Sequence, residues 1–226
     1  MEIHKPKPIH SFKEFLKEIG IIVCGVLIAL AAEQGVEALH WQHELQGERE
    51  ALNSEARDFL SSAAFRLAEQ PCLIQELHDV RTVLDRHARN APLGLRRNLN
   101  PPIGTTATSG TWQIALAGQA LGHMPLKEKL GYSGAFGTYE TFNRLSVAET
   151  APWTRLSLLN DAQQMTEADW STLRQARLDA ATATVEVGVL ADAIVRKNNL
   201  GLKPAAIEDG QVAAALKAAC APLIDR

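Results

Sequence analysis

The sequence places an E-x-x-H motif and a second histidine close together, and these residue types can hold a metal ion. Glu37 and His40 form the motif, and His43 and Glu44 follow within one helical turn. A di-metal helical bundle needs two such motifs on different helices together with two further glutamates, and the chain has one motif. The spacing of His40, His43 and Glu44 also allows a single zinc ion, but such residues more often form a solvated surface. We therefore predict no metal site.

Motifs for nucleophilic catalysis or phosphate binding do not occur in the sequence. There is no G-x-S-x-G, H-E-x-x-H or S-x-x-K, and no glycine-rich stretch leads into GKS or GKT. We therefore predict no catalytic residue, no cofactor and a protein that is not an enzyme. The net charge of −3 provides no basic field, so we also predict no nucleic-acid partner.

The rarer aromatic side chains gather between Trp112 and Tyr139. Tyr132, Phe136 and Tyr139 follow the i, i+4, i+7 spacing of one helical face, and glycines recur every three residues in GYSGAFG. Such a face could line a ligand pocket formed by Trp112, Tyr132 and Tyr139, which would make the protein a small-molecule sensing or binding domain. Packing of the same rings in the core is the competing interpretation.

The most apolar stretch is a run of fourteen residues without a charge, from Ile19 to Ala32. In a helix this run spans about 21 Å, which is less than the roughly 30 Å of a hydrocarbon core. Apolar and aromatic residues on both sides extend it, so we predict a transmembrane helix over residues 15–39. A cleaved signal peptide, cut after Ala31, is the alternative.

The distribution of lysines predicts the orientation of this helix. Four lysines precede the apolar run, whereas the twenty residues after it contain one arginine among five glutamates. The positive-inside rule therefore assigns residues 1–14 to the cytoplasm and residues 40–226 to the outside. In a Gram-negative cell, the protein would lie in the inner membrane with a periplasmic domain.

The sequence SFKEFLKEIGIIVCGVLIALAAEQ is similar to the start of a family of uncharacterised bacterial single-pass membrane proteins. In that family a KEFLKEIGIIVxGVLIAL block precedes an EQ pair and an HWxHE-like run. The stretch GTWQIALAGQALGHM also resembles a block in the family's soluble part. The resemblance implies an anchored helical domain and brings no catalytic residues with it.

One face of the predicted anchor carries small and then acidic residues. Gly25, Ala29, Glu33 and Glu37 recur every four residues. A small-xxx-small pair lets another membrane helix approach closely, so this face predicts a protein partner or self-association in addition to contact with membrane lipid. The alternative is that Glu33 simply ends the anchor at the headgroups. The leading function hypothesis is a membrane-anchored accessory or interaction protein.

Two of the three cysteines lie outside the apolar run. In an oxidising periplasm Cys72 and Cys220 would form a disulfide, whereas in the cytoplasm both would stay thiols. Cys24 lies within the apolar run and is expected to behave as a small hydrophobic residue.

Helical periodicity dominates the rest of the chain, and aromatic residues make up only 5% of it. We predict an all-α protein, in which an N-terminal transmembrane helix continues into a periplasmic helical bundle. Residues 90–110 form a long irregular loop, and Pro71 and Pro152 are predicted to break helices. Pro125 is predicted to open a helix, and Thr166 with Asp169 a capping box.

Overall fold

The computed structural model describes residues 12–104, 110–204 and 210–225. Within these ranges the chain is helical and has no β-strand, so the predicted all-α fold is confirmed. Two short 3-10 helices, Ala120–His123 and Ser157–Gln164, connect the longer elements. The α-helices are α1 Phe12–Ala88, α2 Gly110–Ala117, α3 Leu126–Leu156, α4 Glu167–Arg196 and α5 Gly210–Ala219.

The chain divides into two compact units, of which the first is Met1–Glu48. Its described residues belong to the beginning of α1, and the large apolar side chains of the run from Ile19 to Leu30 are exposed. The most apolar window of α1 has a mean hydropathy of 2.2, and none of it is buried. In the described ranges α1 is the one helix that is long and apolar enough to cross a membrane, although a signal sequence would have the same properties.

The second unit, Arg49–Arg226, is built from the later part of α1 together with α3 and α4. The apolar residues of α1 in this unit recur at helical spacing because they share one face, which is buried. One core cluster combines three helices with the last residues of the chain: Leu73, Leu77, Val80, Val83, Leu84, Leu99, Trp153, Leu156, Leu159, Trp170, Leu173, Ala176, Ala180, Leu223 and Ile224.

A buried polar network joins α1, α3 and α4 beside this core. Arg66 of α1 forms an ion pair with Glu149 of α3 at 2.8 Å, and both side chains are nearly inaccessible to solvent. Arg66 and Gln70 also donate hydrogen bonds to the main-chain carbonyl of Thr184, while Trp153 Nε1 donates to the Thr184 hydroxyl. Because an unpaired charge here would be costly, these hydrogen bonds fix how the three helices pack.

The starts of α3 and α4 follow from their sequences. Pro125 immediately precedes α3, and its carbonyl accepts hydrogen bonds from the next turn of the helix. Thr166 and Asp169 form the predicted capping box at the start of α4. Gly201 adopts a φ of +65° shortly after that helix ends, a conformation that glycine tolerates well.

Two predicted helix breaks are wrong. Pro71 lies inside α1, which continues for more than four further turns, and Pro152 lies inside α3. A proline inside a helix removes one hydrogen bond and costs about 3 kcal/mol. Pro71 is exposed, and buried residues on both sides of it hold the helix in place. Pro152 is followed by the end of α3 after one turn.

The irregular segment after α1 pairs with the C-terminal residues of the chain. Leu95 and Ile224 form an isolated antiparallel bridge, and Asp225 N donates to the carbonyl of Gly94 at 2.8 Å. The predicted loop at 90–110 is therefore irregular over its described part, to residue 104, but it is held at one end by main-chain hydrogen bonds.

Cys72 and Cys220 form a disulfide, with their Cα atoms 4.7 Å apart, as predicted. Because α1 continues through Pro71, the bond joins the last quarter of α1, and not the start of a separate helix, to the end of α5. The exposed Cys24 has no disulfide partner.

Replacement of the disulfide should destabilise the second unit. The bond spans a sequence separation of 148 residues, and loops of this size give a stabilisation of about 2–5 kcal/mol. We expect Cys72→Ser and Cys220→Ser to lower the free energy of unfolding by that amount in chemical denaturation. Cys24→Ser is the matched control, and an effect of Cys72→Ser no larger than that of the control would contradict the prediction.

Candidate binding site

Four buried carboxylates lie along α1 within the second unit. Glu69 and Glu76 are two turns apart and share a helical face, and all four are at most 9% exposed: Glu55, Glu69, Glu76 and Asp79. Buried carboxylates are rare unless they are hydrogen bonded, so each needs a partner from another part of the chain.

Two of these carboxylates bind main-chain N–H groups of neighbouring segments. Glu55 accepts hydrogen bonds from the amides of Thr111 and Trp112, which are unpaired donors in the first turn of α2. Asp79 accepts from the amide of Leu223 at 3.2 Å. These carboxylates fasten α2 and the C-terminal segment to α1.

The other two carboxylates line a cavity of about 380 Å³ between α1, residues 97–103 and α5. We call it the Glu69 cavity. Its walls are mainly apolar, and the alanines of α5 contribute only methyl groups to it. The lining residues are Glu69, Leu73, Glu76, Arg97, Asn98, Asn100, Pro101, Ile103, Ala215, Ala218 and Ala219.

Glu69 has one carboxylate oxygen bound and one free. Oε1 accepts a hydrogen bond from the amide of Ile103 at 2.8 Å, whereas Oε2 has no hydrogen-bond partner in the described part of the chain. The pKa of Glu69 is raised to about 7, mainly by burial and to a smaller extent by the nearby charges of Glu149 and Glu76. The Ile103 hydrogen bond and the charge of Arg66 oppose this increase.

Arg97 is the cationic side chain of the cavity, and its donors are already bound. It forms an ion pair with Glu76 at 2.8 Å and donates to the carbonyls of Ala219 and Ala221 at the end of α5. Burial raises the pKa of Glu76, and Arg97 counteracts this effect. Glu69 is therefore the acid of the cavity without a cationic partner of its own.

The aromatic residues of the predicted pocket lie together in the second unit as closely packed rings. Trp112 stacks on Phe136 with ring centroids 5.4 Å apart, and Tyr139 stacks on Phe59 at 4.8 Å. The hydroxyl of Tyr132 donates to the side chain of Asn53 at 3.0 Å. These contacts agree with the competing interpretation, in which the rings fill the core.

Tyr139 also borders a second, smaller cavity of about 240 Å³ between α3 and the end of α4. Trp112 and Tyr132 do not line it, so the three predicted residues do not share this cavity. The hypothesis of a ligand pocket formed by Trp112, Tyr132 and Tyr139 therefore stays a prediction. The Glu69 cavity lies elsewhere in the second unit and is not predicted from the sequence.

The predicted partner face lies on exposed helix in the first unit. Gly25, Ala29, Glu33 and Glu37 are all exposed, and the space beside Gly25 is open for at least 4 Å in the described chain. Trp41 Nε1 donates to Glu37 at 3.3 Å.

In the described ranges, His40, His43 and Glu44 form no cluster of the kind that could hold a metal ion, and no other such cluster occurs there.

The sequence contains a signal for the Glu69 cavity that is not a motif. Glu69 and Glu76 lie in the same helical turns as the apolar residues Leu73 and Leu77, so two acids interrupt a core-facing stripe. Such an interruption indicates a buried carboxylate, but it does not reveal the partner. Ile103 and Arg97 come from a loop whose path the sequence does not predict.

Comparison with known proteins does not assign this chain to a class: no family model, no curated protein and no solved structure matches it. The similarity to the single-pass membrane family therefore stays a prediction.

Replacement of Glu69 should change how stability depends on pH. The pKa of Glu69 is about 7 in the folded chain, above its ordinary value of 4.5. The favourable contribution of Glu69 to the free energy of unfolding is therefore complete below pH 4.5 and is lost as the pH rises through 7. Glu69→Gln removes this loss. We expect its free energy of unfolding, relative to that of the wild type, to increase by up to about 3 kcal/mol between pH 5 and pH 8.

Chemical denaturation at the two pH values measures this difference. Glu186→Gln is the matched control, because it removes an exposed carboxylate of α4 with the same charge. A relative stability of Glu69→Gln that does not change with pH would show that Glu69 is ionised throughout this range.

Proposed function

We propose that the protein is a membrane-anchored accessory protein whose helical domain lies outside the cytoplasm and makes contact with a protein partner. The observation that carries the proposal is the apolar beginning of α1, in which side chains such as Ile21, Ile22 and Ile28 are more than 60% exposed. A large contiguous apolar surface of this kind indicates a membrane or a protein partner.

Two further observations support the orientation. Lys13 and Lys17 precede the apolar segment, whereas Glu33 and Glu37 follow it, and this asymmetry favours a cytoplasmic N-terminus. The Cys72–Cys220 disulfide favours an oxidising compartment for the second unit, such as the periplasm of a Gram-negative cell. A cleaved signal peptide would give the same compartment but a protein without an anchor.

Fractionation of the native protein separates these two arrangements. We expect a membrane-bound chain that begins at Met1, with Cys72 and Cys220 paired in non-reducing peptide mapping. External protease should digest the second unit in spheroplasts. A soluble chain that begins at Ala32 would contradict the anchor, and a protected domain with both thiols free would contradict the orientation.

The face formed by Gly25, Ala29, Glu33 and Glu37 is the proposed partner contact within the membrane. Because large side chains prevent close helix approach, Gly25→Leu with Ala29→Leu should reduce the crosslinked adducts recovered from native membranes at least several-fold. The matched control is Gly20→Leu with Ala31→Leu, which adds the same bulk on another face of α1. Equal losses in both variants would refute a contact specific to this face.

A small-molecule binding domain is the second candidate function. The Glu69 cavity favours it, because a mostly apolar cavity with a few convergent polar groups is typical of a ligand site. This candidate is compatible with an anchored protein, since a bound ligand could be the signal that a partner detects.

A further inference from the structure

We propose that the Glu69 cavity binds a small organic ammonium compound, with the carboxylate of Glu69 as its anionic partner. The proposal goes beyond the anchored accessory function and does not depend on the membrane topology, because every residue that it uses belongs to the second unit.

The charges around the cavity leave one acid without a counter-ion. Glu76 is paired with Arg97, and Arg66 is paired with Glu149, each at 2.8 Å. Glu69 is fully buried and lines the cavity, and its Oε2 has no partner in the described ranges. A buried oxygen in this state requires a donor, and an ammonium group is the strongest that a small ligand can supply.

An anionic ligand does not fit the same surroundings. It would approach both Glu69 and Glu76, and the guanidinium of Arg97 already bonds Glu76 and two carbonyls at the end of α5. A neutral hydroxyl could also donate to Glu69, but it would leave the buried charge of the ionised carboxylate uncompensated, whereas an ammonium group supplies both the donor and the counter-ion. The cavity therefore selects for positive charge.

The walls of the cavity determine the rest of the ligand. Leu73, Pro101 and Ile103 provide apolar surface, and the methyl groups of Ala215 and Ala218 leave space on the side of α5. A volume of about 380 Å³ lies at the lower end of the range for small-molecule sites. The expected ligand is thus a compact hydrocarbon body that carries one primary ammonium group.

Protons compete with such a ligand for Glu69. The charged groups that act on Glu69 are Arg66 on α1, Glu149 on α3 and Glu76 on α1, and Arg97 lines the same cavity. Since burial raises the pKa of Glu69 to about 7, affinity should increase as the pH rises through this value. Between pH 6 and pH 8 the ionised fraction, and with it the affinity, increases about tenfold.

The test uses the full chain in detergent micelles and isothermal titration calorimetry. The probe is cyclohexylmethylamine, and the neutral comparison is cyclohexylmethanol, which has nearly the same shape without the charge. We expect the amine to bind at pH 8 and to bind about tenfold more weakly at pH 6. Glu69→Gln should weaken amine binding at least tenfold, whereas Glu186→Gln, which removes an exposed acid, should leave it unchanged.

A second variant covers the case in which Glu69→Gln does not fold. Ala218→Leu extends a larger side chain from α5 at the cavity wall and should weaken the binding of both probes without changing any charge. The proposal is overturned if the wild type does not bind the amine, if Glu69→Gln binds it as tightly as the wild type, or if the alcohol binds as tightly as the amine. A crystal structure with only a water molecule on Glu69 Oε2 at saturating amine would also overturn it.

Discussion

The arrangement of the second unit depends on the buried carboxylates of α1. The first turn of a helix and segments without regular structure both carry main-chain donors that no helix or sheet satisfies, and they can be buried only where another group accepts the hydrogen bonds. Glu55, Glu69 and Asp79 provide such acceptors for α2, for the loop at Ile103 and for the chain end at Leu223. Through these carboxylates α1 also positions a short helix and two irregular segments that lie far from it in the sequence.

The C-terminal residues are held by three kinds of interaction that act on a few neighbouring positions. The disulfide fixes Cys220, Arg97 binds the carbonyls at the end of α5, and the bridge at Ile224 adds main-chain hydrogen bonds. Since α5 forms one wall of the Glu69 cavity, these interactions also set the width of the cavity. The covalent bond and the cavity therefore belong to one structural unit, because Leu73 and Ala219 of the cavity wall are the chain neighbours of Cys72 and Cys220.

Much of this fold can be predicted from the sequence because the relevant signals are local. The periodic apolar stripe and the capping box at Thr166 follow from residue type and spacing, and the pairing of Cys72 with Cys220 follows from the predicted oxidising compartment. The continuation of α1 through Pro71 cannot be predicted in this way, because tertiary contacts offset an unfavourable local preference. The Glu69 cavity cannot be predicted from local sequence either, because its walls come from three segments that are brought together by long-range packing.

The contact between Gln70 and Gly188 has a consequence for the recognition of related proteins. A methyl group at position 188 would lie 2.6 Å from the side-chain carbon of Gln70, which hydrogen bonds with Arg66 and Thr184 hold in place. A larger residue at 188 would therefore displace the Gln70 amide from its hydrogen bonds with Arg66 and Thr184. In divergent relatives these two positions should change together, so their covariation would identify the fold where overall similarity does not.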